Sequence, residues 1–262
     1  MTPTIPAVVP PVRPDNALKH HYAPSVAFAW AAAGWRDLSV QPGPSLAYGF
    51  VVFVASAVVV GGLFAFGWDY ILFPALAGFM VVGPLLAVGL YDKSRRIALG
   101  IPVTLWRMVV VQPASPGQLL FTGVLLLLLM LLWMRAAVIV YALFFGLLPF
   151  PGLDHVARVL FETPTGWALL IVGSLVGALF ASFSFAISVF SIPLMLEQRT
   201  DALTAMGTSM ALVWNNLPVM LTWGAIVLAL FVASLATGLL GLIVVFPLLG
   251  HSTWHAYRAI KP

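Results

Sequence analysis

The chain has 262 residues, of which 62% are apolar and 8% are charged, and its formal net charge is +4. Soluble domains carry about 25% charged residues, so 12 basic and 8 acidic side chains cannot cover a soluble fold of this length. The absence of cysteine excludes disulfides, thiolate metal sites and a cysteine nucleophile. The basic residues are scattered rather than gathered in one patch, which argues against nucleic acid and favours the lipid bilayer as partner.

The apolar runs predict an all-α polytopic membrane protein. Residues 1–24 are rich in proline and predict a mobile cytoplasmic tail, and residues 25–262 form the membrane domain. A run of about 20 apolar residues is long enough to cross a hydrocarbon layer of about 30 Å. On this criterion we predict six transmembrane helices, at about residues 46–66, 71–91, 119–148, 166–193, 217–236 and 238–256. The third run fits either one tilted helix or a span followed by a short interfacial segment.

A sequence repeat accompanies these spans. Trp35-Arg36, followed by Gln41-Pro42, returns as Trp106-Arg107, followed by Gln112-Pro113, and Trp214 begins a degraded third copy. The repeat predicts three pseudo-repeated hairpins, each preceded by a short helix on the cytoplasmic surface, the clearest at residues 25–38 and 97–111. Repeats of this kind can place a substrate site at their interface, or they can be duplicated stable hairpins; both interpretations stay open.

The Lys and Arg residues predict the orientation of the chain. With a cytoplasmic N-terminus, the inner segments hold nearly all of them, including the cluster Lys93, Arg95, Arg96 and Arg107, whereas the outer segments hold only Arg158. Cytoplasmic loops of membrane proteins carry an excess of Lys and Arg. We therefore expect both termini to face the cytoplasm.

Arg135 is the one charged residue inside a predicted span. A charge within a bilayer is costly and is by default a functional hypothesis. If the third span begins near Gln118, however, Arg135 lies about 26 Å along it, close to the outer headgroups. There it could extend its guanidinium to the interface, or pair with Asp69, Asp154 or Glu162. A role in a pathway and a structural role both stay open.

His251 and His255 are four residues apart and therefore lie on one helix face. They are weak candidates for a metal site, since a complete site needs third and fourth ligands that the sequence does not offer. The alternative is a pair of neutral imidazoles that form hydrogen bonds at the inner interface. No motif for nucleotide binding, acyl transfer or zinc hydrolysis is present, so we expect no cofactor, no catalytic residue and no enzyme activity.

The fourth span combines small and polar residues. Gly173 and Gly177 form a G-x-x-x-G motif, which allows close helix packing. Ser184 and Ser188 are among the serines of the same span. These residues are typical of helix packing, and they could also line a polar path.

The run GPLLAVGLYDKSRR, the run LLWMRAAVIVYALFFG at residues 131–146 and the ending PLLGHSTWHAYR resemble a family of bacterial integral membrane proteins of unknown function. The resemblance extends over about residues 25–260. Some members carry a cytochrome c oxidase label. The resemblance thus implies a multi-pass protein of the bacterial cytoplasmic (inner) membrane.

The label can be compared with the histidine content. A haem–copper oxidase core needs several histidines on transmembrane helices, and this chain has five in all. It is therefore not the catalytic subunit. We expect a non-catalytic subunit or an accessory or assembly factor of a larger, respiratory membrane complex, with other membrane subunits as partners. The alternative is a small-solute or ion transporter or channel.

Overall fold

The structure is a computed structural model that describes residues 17–146 and 152–261, apart from the side chains of Leu153, Asp154 and Ala157. Within these ranges all the regular structure is helical, which confirms the all-α prediction. The helices are α1 Val26–Ser39, α2 Pro42–Ala65, α3 Leu72–Leu86, α4 Val88–Ala98, α5 Leu105–Val109, α6 Pro116–Phe145, α7 Leu153–Glu162, α8 Pro164–Ser188, α9 Ser191–Glu197, α10 Ala202–Asn215, α11 Leu217–Ala236 and α12 Leu242–Ile260. A 3-10 turn, Asp69–Ile71, precedes α3.

Five helical stretches of the described chain are long and apolar enough to cross a membrane. They are Pro42–Ala65, Asp69–Ala98, Pro116–Phe145, Pro164–Glu197 and Leu217–Ala236. At most 28% of the most apolar part of each stretch is buried inside the protein. Apolar helices that leave most of their surface uncovered need a hydrocarbon solvent, so the chain is an integral membrane protein with multiple apolar helices.

The sixth predicted span, residues 238–256, corresponds to α12 and is not among these five. The second half of α12 is rich in polar side chains, which lowers its hydropathy below that of a typical span. The first half is apolar, and the backbone of Ile243 lies against Gly49, the eighth residue of α2. From this contact to its end at Ala65, α2 extends a further 24 Å or so, at about 1.5 Å per residue. The structure thus supports five candidate spans and does not confirm a count of six.

The predicted surface helices are found in part. Residues 25–38 correspond closely to α1, whereas only Leu105–Val109 of residues 97–111 is helical. Gly100 has a positive φ of +68°, which ends α4 in a turn, and Pro102 follows. Both features interrupt a helix, so the second surface helix is shorter than predicted.

The helices pack in two groups. Helix α12 contacts α1, α2 and α4, whereas α3, α6 and α8 pack against one another. Although α2 and α3 follow each other in the chain, they make few contacts with each other.

The most deeply buried residues lie where α1, α4, α9, α10 and the second half of α12 meet. We call this region the basic end, because the cluster predicted from the sequence lies there. The tail predicted at residues 1–24 falls partly outside the described residues. Its last part is attached to the basic end, since Tyr22 Oη donates to the carbonyl of Ala259 at 3.0 Å.

The contact between α2 and α12 depends on a glycine. A Cβ at Gly49 would collide with the carbonyl oxygen of Ile243 and the ring of Pro247, whereas a Cβ at Gly61, on the same helix, would meet nothing within 4 Å. We therefore expect Gly49→Ala to lower the free energy of unfolding by about 1–3 kcal/mol through overpacking. The melting temperature in detergent measures this effect.

Gly61→Ala is the matched control. It should be neutral or slightly stabilising, because alanine is the better helix former. Equal melting temperatures for the two variants would contradict the close approach of α2 and α12.

Candidate functional site

The largest group of linked buried polar side chains lies at the basic end, between α1, α2, α4 and α12. At its centre is Lys93 of α4, which is 0% exposed. Its ammonium donates to the carbonyl of Gln41 at 3.0 Å and to Ser45 Oγ at 2.8 Å. None of the salt bridges among the described residues includes Lys93. In the sequence analysis Lys93 serves only to predict the orientation of the chain in the membrane. In the structure it is a buried cation that donates to two neutral oxygens.

The backbone of Gln41 is shaped for this contact. Gln41 precedes α2 with a φ of +51°, in the left-handed region. A residue other than glycine is held there at a cost of about 1–3 kcal/mol. The carbonyl of Gln41 is one of the two acceptors of the Lys93 ammonium, so the strained residue supports the buried charge.

A chain of hydrogen bonds continues from Lys93 to α1. Ser45 Oγ lies 2.9 Å from His251 Nε2, and His251 Nδ1 lies 2.9 Å from Ser94 Oγ. An ammonium can only donate, so Ser45 accepts from Lys93 and uses its own hydrogen for His251. Nδ1–H of the imidazole then donates to Ser94, whose hydroxyl donates to the carboxylate of Asp37. In this assignment Lys93, Ser45, His251 and Ser94 each have at least two hydrogen-bond partners.

Asp37 ends the chain and also binds the second histidine. His255 Nε2 donates to Asp37 Oδ2 at 2.8 Å. Burial raises the pKa of Asp37, and the hydrogen bonds from His255 and Ser94 outweigh this effect and hold the pKa below its usual value. Asp37 is therefore ionised at neutral pH.

We call this set the polar relay; its members are Lys93, Ser45, His251, Ser94, Asp37 and His255. It carries a buried cation at one end and a carboxylate at the other. It joins α12 to three helices that are distant from it in sequence, since Ser45 and His251 are 206 residues apart. Fully satisfied buried networks of this kind hold their elements in one arrangement.

Two further charged groups close the basic end. Asp92, which is 0% exposed, accepts from Arg95 and from Arg96, each at 2.6 Å. Glu197, the last residue of α9, accepts from the side chains of three residues near the end of the chain. These are Tyr257 at 2.7 Å, Arg258 at 3.3 Å and Lys261 at 2.7 Å. Arg107 of the predicted cluster is exposed and stands apart from both groups.

The other candidate residues predicted from the sequence, Arg135 and the glycines of the G-x-x-x-G motif, lie outside the polar relay. Arg135 is exposed on α6 and makes no ion pair with Asp69 or Glu162; the side chain of Asp154 lies outside the described part. A Cβ at Gly177 would touch the ring of Trp133 on α6 at 3.3 Å, whereas one at Gly173 would meet nothing within 4 Å. Only one glycine of the motif therefore lies at a helix contact.

His251 and His255 belong to one hydrogen-bond network, but the structure does not place further metal ligands beside them. Across the described ranges, no group of three or more His, Cys, Asp or Glu residues is placed to hold a metal ion. Both imidazoles instead lie in hydrogen bonds, His251 with two serines and His255 with Asp37. The relay is arranged for helix attachment rather than for metal binding.

Sequence reasoning missed Asp37 and Ser45. Asp37 lies in a predicted surface helix, where a single acidic residue is unremarkable by itself, and Ser45 precedes an apolar run. A faint signal exists, because Asp37 is the only acidic residue of α1. Its partner on α12 is 218 residues away, and nothing local links the two.

Two hollow regions lie in the apolar part of the protein. A groove of about 530 Å³ separates α2 from α3 and reaches α5 and Leu239. A smaller cavity of about 130 Å³ lies between α3, α8, α11 and α12 and is lined by Ser184. Arg135, the charged residue of the third predicted span, does not line the smaller cavity.

The relay predicts a stability that depends on pH. We expect Asp37→Asn to lower the free energy of unfolding by about 1.5–3 kcal/mol at pH 7, since hydrogen bonds to a charged group are lost. A carboxylate whose folded pKa is depressed stabilises the protein above its unfolded pKa of about 3.9. This stabilisation disappears as the pH falls through the folded pKa. Melting temperatures of wild type and variant should therefore converge below about pH 4.

Asp69→Asn, in the 3-10 turn that precedes α3, is the control and should melt with the wild type at pH 7. If Asp37→Asn and wild type melt together at pH 7, Asp37 does not anchor the relay.

Comparison with known families agrees with the helical membrane architecture. Residues 72–197, which include α3 to α9, match a family described as a predicted integral membrane protein (DUF2189). The match covers less of the chain than the resemblance at residues 25–260 does. Searches of curated proteins and of solved structures found no match. Residues 72–197, slightly less than half of the chain, are therefore similar to the DUF2189 family of predicted integral membrane proteins, whose function is unknown.

Proposed function

We propose that the protein is a non-catalytic membrane subunit or accessory factor that packs against a larger membrane complex. The observation that carries this proposal is the groove between α2 and α3. Consecutive antiparallel helices joined by a short turn ordinarily pack against each other, yet these two leave a space of about 530 Å³. A helix of a partner subunit would fill it.

The lining of the groove suits a helix. On α2 it consists of Tyr48, four valines and the small residues Ala55 and Ser56, and on α3 the small residue Ala75 lies among larger apolar side chains. Interfaces between membrane helices are enriched in small residues, because these allow close approach of the backbones. Val51 and Val59 are 66% and 58% exposed, so the α2 wall of the groove is free within this chain.

The family resemblance supplies the choice of complex. Some members of the bacterial membrane-protein family that the sequence resembles carry a cytochrome c oxidase label. With only five histidines, this chain is too poor in haem and copper ligands to be the catalytic subunit of such an oxidase. A respiratory complex of the cytochrome oxidase type in the bacterial inner membrane is therefore the first partner to test. Lipid surrounds the remaining faces of the helices.

The groove gives a direct test of partner binding. A tryptophan at Val59 would fill the groove, so Val59→Trp should abolish co-purification of a stoichiometric membrane subunit in mild detergent. Quantitative mass spectrometry of the purified complex measures this loss.

The matched control is Val54→Trp, since Val54 lies on the same helix, is 40% exposed and does not line the groove. This variant should retain the partner. Retention by both variants, or recovery of phospholipid alone with the wild type, would contradict a helix-binding groove.

The alternative function is transport of a small solute or ion. One observation favours it, because Ser184 lines a cavity within the membrane region. A transport path also needs access from water, and the buried side chains of the relay occupy the space between the helices at the basic end.

We also propose six crossings with both ends in the cytoplasm, α11 and α12 forming the third hairpin. Three observations support this arrangement. Residues near both ends meet at the basic end, where Tyr22 contacts Ala259. The basic residues gather there, as the positive-inside rule requires. Finally, Trp35, Trp106 and Trp214 of the three repeats are 52%, 72% and 73% exposed, which suits an interfacial belt.

Cysteine labelling separates these possibilities, and the chain has no native cysteine to interfere. Under the proposal, a membrane-impermeant thiol reagent outside the cell labels Trp68→Cys, His155→Cys and Leu239→Cys, and labels Arg199→Cys only after lysis. Ser184→Cys stays unlabelled from both sides. Mass shift on a gel measures each reaction.

Each deviation has a distinct meaning. Labelling of Ser184→Cys in the intact protein would favour transport. An unlabelled Leu239→Cys, with Trp68→Cys labelled, would reduce the count to fewer than six crossings.

A further inference from the structure

The cavity between α3, α8, α11 and α12 has the dimensions of a small-molecule site. Its volume is about 130 Å³. An apolar protein cavity of about 150 Å³ holds one benzene molecule, so this cavity accommodates a single six-membered ring. Phenylalanine rings form much of its wall, among them Phe79, Phe185, Phe231 and Phe246.

Three polar atoms on this wall have no hydrogen-bond partner in the described part of the chain. They are Ser184 Oγ, Ser188 Oγ and Trp223 Nε1. Their residues are 2%, 0% and 0% exposed. A buried polar group without a partner is destabilising, and three that line one cavity indicate a common partner.

The serine hydroxyls differ from the other helical hydroxyls of this protein. A serine or threonine in a membrane helix commonly donates to the carbonyl four residues earlier. Ser234, Ser252 and Thr253 do so, at 2.9, 2.7 and 2.8 Å. Ser184 and Ser188 do not use this bond, so their hydrogens remain available to a molecule in the cavity.

The indole of Trp223 shows the same contrast. Trp133 Nε1, on a neighbouring part of the wall, donates to the carbonyl of Pro74 at 2.9 Å. Trp223 is held by an edge contact with Trp30 of α1, at 6.2 Å between ring centroids, and its N–H has no acceptor.

The chemistry of the ligand follows from the wall. An indole N–H can only donate, and both hydroxyls can donate, so the ligand must present a hydrogen-bond acceptor, such as a carbonyl oxygen. The lining residues in the described chain include no charged side chain, which favours an uncharged molecule. The aromatic walls favour a flat ring.

We propose that this cavity binds an uncharged single-ring molecule that carries a carbonyl oxygen, such as an aromatic ketone or a quinone ring. Ser184, Ser188 and Trp223 donate hydrogen bonds to the oxygen, and the phenylalanine rings enclose the ring. The site does not depend on a partner subunit, so it can be tested independently of the function proposed above.

The test uses the purified full-length protein in a synthetic-lipid nanodisc. Acetophenone is the probe, and ethylbenzene, which has the same ring without oxygen, is its control. Ligand-observed NMR titration gives both affinities. We expect acetophenone to bind the wild type at least about tenfold more tightly than ethylbenzene, since hydrogen bonds to the carbonyl are formed only with the ketone.

Two variants then assign the donors. The double variant Ser184→Ala/Ser188→Ala and the single variant Trp223→Phe should each weaken acetophenone binding about tenfold and leave ethylbenzene binding unchanged. Ser234→Ala, which removes a hydroxyl that already has a partner, should leave both affinities unchanged.

Equal binding of the two probes by the wild type would overturn the proposal, as would full acetophenone affinity in the double variant. If the double variant does not fold, the comparison of the two probes in the wild type and in Trp223→Phe decides the question by the same criteria.

Discussion

The buried ammonium of Lys93 is the constraint on which the arrangement of the basic end depends. A cation removed from water requires acceptors within reach, and the chain supplies them from two places. The carbonyl of Gln41 is turned toward it by a strained backbone, and Ser45 passes the interaction on to His251. Because each group in the relay needs the next one, α1, α2, α4 and α12 must assemble together.

Outside the basic end, the bilayer takes the place of a protein core. The candidate spans bury only 11–28% of their most apolar parts inside the protein. Without a hydrophobic driving force between helices, close packing decides which helices touch. Gly49 allows the backbone of α12 to approach α2, whereas α2 and α3 make few contacts, among them the hydrogen bond that Tyr48 Oη donates to the carbonyl of Leu86 at 2.7 Å. The same physics therefore explains both the tight α2–α12 pair and the open groove beside it.

Hydropathy is sufficient to locate membrane helices, because a stretch of about 20 apolar residues has few other stable environments. Residues 217–236 were predicted as a span, and α11 has the same bounds. The polar relay could not be predicted in this way. Its contacts join residues 206 and 218 positions apart, and Asp37 and Lys93 resemble ordinary surface charges in the sequence. The histidine pair was visible as a pattern, but its partners were not.

Buried polar groups have hydrogen-bond partners in one region of the protein and lack them in another, and this difference shows where a ligand would act. At the basic end, the buried charges of Lys93, Asp92 and Asp37 all have partners within the chain, so no other molecule is needed to pair these charges. Within the membrane region, three buried donors belong to residues that line a cavity, and they have no hydrogen-bond partner in the described structure. An unpaired buried charge costs more free energy than an unpaired neutral donor. Because the charges are paired and only neutral donors lack partners, the protein is stable when the cavity is empty and gains further stability when an acceptor enters. That asymmetry favours a binding role in the interior of the membrane, above a basic end whose role is structural.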